Sequence, residues 1–253
     1  MKNKAPLSLG LLLAFVFVLA GSNIHAQIVW LTPQAISADS NVSSLGSTVD
    51  ALKAWTGGSA VTVNGVTFNP MTLTAGSYSD GTGSIVIGSP LNNTAFSHGN
   101  PVSGASGAYN TLLGTFSYSN AANTITFNNL IAGHEYQVQV WVSQTTTPAN
   151  GLNLDGSNPV SLTGYVTSAS NGTFATGTFT ATSTSFVENT KNSTAYSGSS
   201  VNLNGTAYPY GSAILNAVQI RDITAVPEPS SVALISVVAL GFGAWRTRKA
   251  IRG

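Results

Sequence analysis

The stretch EYQVQVWV, residues 135–142, decides the fold class. One set of alternate positions is apolar and consists of Tyr136, Val138, Val140 and Val142. The positions between them hold Gln137, Gln139 and Trp141. Side chains of a β-strand point alternately to its two faces, so this period of two predicts a strand with an apolar face turned towards a core.

Turn signals separate further stretches of the same kind. The stretch VTVNGVTF, residues 61–68, places Asn64-Gly65 between two alternating runs. Asn-Gly at such a position is typical of a two-residue hairpin with a type I′ turn, in which both central residues need a positive φ. The stretch VNLNGTAY, residues 201–208, repeats this device at Asn204-Gly205.

The rest of residues 27–224 reads as short strands between polar turns. Alternating segments occur at residues 123–130, 171–180 and 213–222, and the first of them places Ile125 and Phe127 on one face. The stretch STVDALKAW, residues 47–55, differs and predicts one or two helical turns at most. Many short strands with turns between them predict an all-β fold, and we expect a single β-sandwich over residues 27–224.

Charge is scarce in this chain and is distributed unevenly. Only 7% of the residues are charged, against about a quarter in an average protein. Between residues 27 and 226 there are three cations and seven anions, which leaves a net charge of −4. This part therefore offers no basic surface for a phosphate backbone, and we expect no nucleic acid partner. The chain has no cysteine, which excludes disulfides and thiolate chemistry.

The first 26 residues have the layout of a secretory signal peptide. Lys2 and Lys4 precede an apolar run, and a short polar stretch ends at Ala26. This order predicts export and cleavage by signal peptidase between Ala26 and Gln27. The alternative is an N-terminal membrane anchor that is not cleaved.

The last 29 residues, 225–253, combine three features. The chain reads VPEPSSVALISVVALGFGAWRTRKAIRG from Val226 to its end, with an apolar run from Val232 to Trp245. This run is short for a transmembrane helix and must use its flanks to span the bilayer. A basic tail follows, consisting of Arg246, Arg248, Lys249 and Arg252. By the positive-inside rule, this tail would hold the extreme end in the cytoplasm.

The prolines of this terminus distinguish it from an ordinary anchor. Pro227 and Pro229 flank Glu228 and prevent a helix from extending upstream. The order of Pro-Glu-Pro, apolar run and basic tail resembles the PEP-CTERM sorting signal of bacterial envelope proteins. That resemblance implies recognition of Pro227, Glu228 and Pro229 by exosortase, an integral-membrane cysteine protease. The alternative is an ordinary C-terminal anchor that stays uncut.

Several phrases of the body also resemble a module that recurs upstream of PEP-CTERM signals. They are TVNGVTF, YNTLLGTFSY, NLIAGHEYQVQVWVS, GTFTA and LNAVQIRD. The resemblance implies a jelly-roll-like β-sandwich and no particular activity. An acidic and a basic residue expected after the Trp141 strand are replaced here by QTTTPANG, which weakens any functional role for that loop.

No catalytic or metal-binding pattern is visible, and we predict neither an enzyme nor a cofactor. His98 and His134 have no second ligand at metal-binding spacing, and His134 is expected to be solvated in a turn. The oxygen-rich turns at residues 79–83 and 153–158 carry one carboxylate each, which favours plain Asx turns over calcium loops. No Gly-x-Ser-x-Gly elbow occurs, and no local pattern nominates a glycosidase carboxylate pair.

Trp141 is the one candidate for ligand binding. If the valine face of its strand is the core, then Trp141, Gln137 and Gln139 lie on the outer face, where an indole between two amides suits a sugar ring. The alternative is that Trp141 packs under a loop or a neighbouring strand.

These features predict an exported protein that is anchored in the inner membrane and then processed for the cell envelope, the cell surface or the extracellular matrix. Its expected partners are signal peptidase and an exosortase-like protease. Its expected role is structural or adhesive, in surface polymer or biofilm matrix. A carbohydrate-binding module that holds extracellular polysaccharide is the main alternative, and a glycoside-processing enzyme is a weaker one.

Overall fold

The computed structural model describes residues 27–54, 56–88, 102–119, 124–143, 151–163, 166–167, 170–189 and 213–224. These residues form mostly β-structure in several sheets. The strands are β1 (Val29–Trp30), β2 (Gln34–Ala35), β3 (Ser47–Lys53), β4 (Val61–Val63), β5 (Val66–Pro70), β6 (Thr72–Thr74), β7 (Ser77–Ser79), β8 (Ile85–Gly88), β9 (Ser117–Ser119), β10 (Thr124–Asn128), β11 (Glu135–Val142), β12 (Gly151–Leu154), β13 (Val160–Thr163), β14 (Val166–Thr167), β15 (Ser170–Asn171), β16 (Thr173–Thr180), β17 (Ser185–Asn189), β18 (Ala213–Leu215) and β19 (Ala217–Asp222). The described residues also include the helix α1 (Gly107–Leu113) and a 3-10 turn, Asp39–Asn41.

The largest sheet has eight strands and is centred on β11 and β19. Its order is β1-β16-β11-β19-β3-β5-β4, with β2 also paired to β16. A five-stranded sheet has the order β17-β10-β8-β7-β6, a four-stranded sheet has the order β13-β12-β18-β9, and β14 pairs with β15. The predicted strand at residues 135–142 is therefore confirmed as β11, and it lies inside the largest sheet.

The central strands β11 and β19 of the eight-stranded sheet are buried on both faces. On one face, Val138 and Val140 belong to a core that also contains Ile87 and Phe127 of the five-stranded sheet and Leu154 of the four-stranded sheet. On the other face, Trp141 belongs to a second core with α1 and the β4–β5 hairpin. The apolar faces of neighbouring elements cover both sides, so the simple division of β11 into a core face and an outer face does not apply.

The helix α1 covers part of the second face. Ser106 is its N-cap, and the Ser106 hydroxyl accepts a hydrogen bond from the backbone N–H of Tyr109, which satisfies one of the free donors of the first turn. The helix buries Tyr109, Leu112 and Leu113. This short helix depends on that burial, because a seven-residue helix is not stable in water by itself.

The Asn64-Gly65 hairpin is confirmed, and the helical prediction for residues 47–55 is wrong. Asn64 and Gly65 have φ angles of 47° and 78°, and Val63 pairs with Val66 across the turn. Residues 47–53 instead form β3, which pairs antiparallel with β19 and parallel with β5. Pairing on both sides and burial in both cores override the weak helical pattern, as tertiary contacts do for short segments.

Within the described residues, no helix has the length and apolar character needed to cross a membrane. The signal peptide, the apolar run at residues 232–245 and the turn at Asn204-Gly205 lie outside the described residues.

Candidate functional sites

Trp141 is completely buried, so the expectation of an exposed sugar platform is wrong. Its exposed fraction is 0%. The indole lies edge-on to Phe68 with ring centroids 5.6 Å apart and stacks on Phe174 at 6.3 Å. Its Nε1–H donates a hydrogen bond of 2.9 Å to the hydroxyl of Tyr109. The alternative of ordinary packing describes this residue, because α1 and the β4–β5 hairpin cover the face that the sequence left open.

The glutamine beside Trp141 is also committed to the structure. Gln139 is 3% exposed. Its Oε1 accepts from the backbone N–H of Ser43 at 2.8 Å and from Nε2 of Gln219 at 2.5 Å. Its Nε2 donates to the carbonyl of Asn41 at 3.0 Å and to the hydroxyl of Thr176 at 2.9 Å. These bonds hold residues 41–43 against the sheet, and they leave Gln139 no free group for a ligand.

Gln137 is the third member of the predicted platform and lies opposite Arg221 of β19. Its Oε1 is buried and has no hydrogen-bond partner among the described residues. The three platform residues thus share one face of β11, as alternation predicts, but that face is covered at Gln139 and Trp141 and partly covered at Gln137.

Arg221 is a buried cation that bonds to a loop. Its Nε donates to the carbonyl of Leu45 at 2.5 Å, and its Nη2 donates to the carbonyls of Ser44 and Gly46 at 3.0 and 2.8 Å. Its Nη1 donates to the hydroxyl of Thr48 at 2.5 Å. Desolvation lowers the pKa of Arg221, but a guanidinium remains charged at any physiological pH. This side chain fixes the turn before β3 over the end of the sheet.

Two carboxylates that are far apart in sequence meet beside β3. The hydroxyl of Thr82 donates to Oδ1 of Asp80 at 2.7 Å and lies 3.2 Å from Oδ2 of Asp50. Asp50 also accepts from the backbone N–H groups of Ala51 at 2.8 Å and Ile85 at 2.9 Å. Burial and the nearby charge of Asp80 raise the pKa of Asp50 from 3.8 to about 6. The bond to Ile85 joins the large sheet to β8.

The Asp50–Asp80 pair is hydrogen-bonded to neighbouring groups of the chain. The backbone N–H of Thr82 donates to Oδ1 of Asp80 at 2.8 Å, which confirms the Asx turn predicted for residues 79–83. Burial opposes ionisation of Asp80, but hydrogen bonds from Thr82 and Asn69 outweigh it, and the pKa of Asp80 is lowered. Among the residues that the structure describes, no cluster of three or more His, Asp or Glu side chains is placed to hold a metal ion.

The turn at residues 153–158 holds the first strand. The carbonyl of Asp155 accepts from Nε1 of Trp30 at 2.5 Å, and Oδ1 of Asn158 accepts from the backbone N–H of Trp30 at 2.8 Å. The amide of Asn158 also donates to the carbonyl of Trp30. These polar groups therefore bind the chain itself.

His134 is half-buried and paired, where the sequence predicted only a solvated turn. Its Nδ1 lies 2.7 Å from Oδ2 of Asp222. Burial opposes ionisation of Asp222, but the hydrogen bonds from His134 and Thr224 outweigh it, so the pKa of Asp222 is lowered. Since Asp222 is the last residue of β19, this contact ties the turn before β11 to the C-terminal end of the described chain.

The residues that follow β19 are hydrogen-bonded to the start of β11. The backbone N–H of Ile223 donates to the carbonyl of Glu135 at 2.9 Å. The backbone N–H of Glu135 donates to the hydroxyl of Thr224 at 2.8 Å, and the N–H of Thr224 donates to Oδ1 of Asp222 at 3.0 Å. Residues 223 and 224 are therefore held against the start of β11.

The sequence pointed to few of these groups. Arg221 stood out only as one of three cations in the body, Asp50 lay in the stretch predicted to be helical, and no pattern linked either residue to its partners. Ala26, Pro227, Glu228, Pro229, His98 and the basic tail lie outside the described residues. Gln27 is described and exposed, and it directly precedes the buried Ile28.

One comparison with known proteins identifies a feature of this chain. The family model described as the PEP-CTERM protein-sorting motif matches residues 225–249. The match contains Pro227, Glu228 and Pro229 and, from the basic tail, Arg246, Arg248 and Lys249. No curated protein and no solved structure matches the chain. The resemblance of the C-terminus is thus confirmed, and the motif implies an exported protein that is anchored in the membrane and processed by exosortase.

Proposed function

We propose that this PEP-CTERM protein is a non-catalytic component of the bacterial cell envelope, with a structural or adhesive role in surface polymer or biofilm matrix. It enters the export pathway through a signal peptide cut after Ala26. Exosortase then trims it at the C-terminal motif, and the body acts outside the inner membrane.

The junction at residue 224 is the observation that carries this proposal. Ile223 and Thr224 bond to Glu135 of β11, and the matched sorting motif begins at residue 225. Cleavage within or beyond Pro227–Pro229 therefore leaves every strand of the largest sheet in place. Such a body can be released or transferred as a finished module, as an exosortase substrate requires.

The use of the buried polar groups supports a non-catalytic body. Gln139 and Arg221 bond to backbone groups of residues 41–46, and Asp50 bonds to the backbone of Ile85. Each of these groups joins two parts of the fold.

We interpret the body as one jelly-roll-like sandwich, because the large sheet shares a continuous core with the five- and four-stranded sheets.

The carbohydrate-binding alternative needs an exposed aromatic ring. In the described part of the chain, the large apolar side chains that are exposed are all aliphatic. They are Val29, Leu31, Leu45, Leu73, Ile131 and Val187. The residue proposed for sugar stacking, Trp141, is buried. We therefore favour the structural or adhesive role.

The sorting step is tested by replacing Pro227, Glu228 and Pro229 with alanine, with Ser230→Ala and Ser231→Ala together as the matched control. We expect the triple variant to remain full-length in the inner membrane, because the apolar helix can extend outward once the prolines are gone. The control should be trimmed normally. The measurement is the mass and location of the protein in cells with and without exosortase. Normal trimming of the triple variant would show that the motif is only a spacer.

The role of the body is tested in the same cells. Biofilm mass and cell adhesion should fall in a deletion strain and recover with the wild-type chain but not with the variant that is not processed. Equal biofilm in all three strains would contradict the structural or adhesive role.

N-terminal sequencing of the mature protein should begin at Gln27, and a start at Met1 would show an uncut anchor.

A further inference from the structure

Two of the most exposed aliphatic side chains lie in the segments before β3 and β11, the strands on either side of β19, after which the sequence continues into the sorting motif. Leu45 is 59% exposed and Ile131 is 54% exposed. We call the surface formed by Leu45, Ile131, His134 and Thr224 the exit face. Its position follows from contacts around Asp222, the last residue of β19.

Leu45 precedes β3 and Ile131 precedes β11, and these two strands flank β19. On the β3 side, Ser47 pairs with Asp222, and the carbonyl of Leu45 accepts from Arg221. On the β11 side, the carbonyl of Ile131 accepts from the N–H of His134 at 3.1 Å, and His134 contacts Asp222. The N–H of Ile131 donates to the hydroxyl of Tyr136 at 2.8 Å. Hydrogen bonds to their backbone groups therefore hold both residues in fixed positions near the end of β19.

The sequence after Thr224 limits the distance from the exit face to the membrane. Seven residues, 225–231, separate Thr224 from the apolar run that begins at Val232. A chain covers at most 3.3–3.6 Å per residue, so this tether spans at most about 25 Å. A short tether gives the exit face a high effective concentration at the bilayer surface, and even weak contacts then become populated.

The charge of the exit face indicates the kind of contact. Among the described residues, its ionisable groups are His134, Glu135 and Asp222, while the guanidinium of Arg221 is buried against the turn at residues 44–46. This part of the surface therefore lacks the exposed lysines and arginines that bind anionic lipids. The attraction between the exit face and the membrane must then come from apolar side chains inserted at the headgroup boundary.

We propose that the exit face rests on the outer surface of the inner membrane in the anchored precursor, with Leu45 and Ile131 inserted among the lipids. This inference rests on the proposed function, because it requires the membrane-anchored precursor. The contact fixes the orientation of the body, with the exit face towards the bilayer. It also keeps Pro227–Pro229 at the bilayer surface, where a membrane protease can reach them. It is lost after trimming, when the tether no longer keeps the body at the membrane.

The absence of cysteine from the chain allows a direct test by single-site labelling. Leu45→Cys and Ile131→Cys are compared with Leu73→Cys, a position at which the native side chain is 52% exposed. Leu73 is a matched control because it follows Pro70, which pairs with Lys53 at the opposite end of β3 from Ser47. Each full-length variant carries a fluorophore and is reconstituted in phosphatidylcholine vesicles that contain a lipid-borne quencher. Proteolytic resistance equal to that of the unlabelled protein confirms folding.

We expect lipid quenching at positions 45 and 131 to exceed that at position 73 by at least about threefold, and to change little with salt. Equal quenching at the three positions would overturn the proposal. Shielding of positions 45 and 131 only when exosortase is present would also overturn it and assign the face to the protease. If trimming in cells is normal but quenching is equal, only the membrane contact is refuted. If quenching is found but the Pro-Glu-Pro variant is trimmed normally, the sorting proposal fails and the contact stands.

Discussion

Replacement of Trp141 by alanine tests whether this residue serves the fold or a ligand. The side chain is fully buried, packs against Phe68 and Phe174, and bonds to Tyr109. Truncation of a buried tryptophan costs about 3–5 kcal/mol through lost transfer free energy and the remaining cavity. The value should lie in the upper part of that range, because the hydroxyl of Tyr109 also loses its buried donor. Burial raises the pKa of Tyr109, so this hydroxyl stays neutral and needs a partner.

The assay is urea unfolding of the full-length protein in detergent micelles. Pulse proteolysis measures the folded fraction at each urea concentration. Since about 5 kcal/mol can equal the whole stability of a domain, Trp141→Phe serves as a milder variant that keeps an aromatic ring but removes the indole N–H and part of the ring volume. It should cost about 1–3 kcal/mol. Tyr109→Phe should cost a similar amount, and the double variant should cost less than the sum, because no unpaired polar group remains.

A small stability loss would refute this reasoning. If Trp141→Ala lowers the free energy of unfolding by less than about 1 kcal/mol and abolishes retention on cell-surface polysaccharide, then the indole is a binding platform and does not pack between Phe68 and Phe174. Additive effects of the Trp141→Phe and Tyr109→Phe variants would show that their hydrogen bond is absent in solution.

Three further predictions concern buried groups outside this core. The pKa of Asp50 is about 6 in the fold against 3.8 ordinarily, so protonation of this carboxyl favours the native state. The free energy of unfolding of the wild type, relative to that of Asp50→Asn, should therefore rise by about 3 kcal/mol as the pH falls from about 7 to below about 4. A difference between their urea midpoints that does not change with pH would contradict this. Arg221→Met should lower the free energy of unfolding by about 1–3 kcal/mol and speed proteolytic cleavage at residues 43–46 severalfold. Equal cleavage rates would show that this turn keeps its conformation without the hydrogen bonds from Arg221. A methyl group on Gly177 would lie against Ile28 and 2.6 Å from Cε3 of Trp30. Gly177→Ala should therefore lower the free energy of unfolding by about 1–3 kcal/mol and weaken the attachment of β1. Faster proteolytic cleavage near the N-terminus would reveal this weakening.

Local chemistry sufficed for the features that depend on neighbouring residues in the chain. The Asn64-Gly65 turn was predictable because a type I′ turn needs two positive φ angles, which asparagine and glycine tolerate. The alternation in residues 135–142 predicted β11 because the strand period is a property of the backbone itself. The C-terminal motif was recognisable because the prolines, the apolar run and the basic tail act in a fixed order along the chain.

Tertiary structure alone decided which surfaces are covered. Alternation separates Trp141 from Val140, but it cannot show that α1 and the β4–β5 hairpin come from distant parts of the chain to cover the tryptophan face. Residues 47–53 became a strand because β19 and β5 pair with them from both sides, and Arg221 found its carbonyl partners about 175 residues away. Burial and hydrogen bonding are satisfied by whichever groups the fold brings together, and a single sequence does not contain that information in local form.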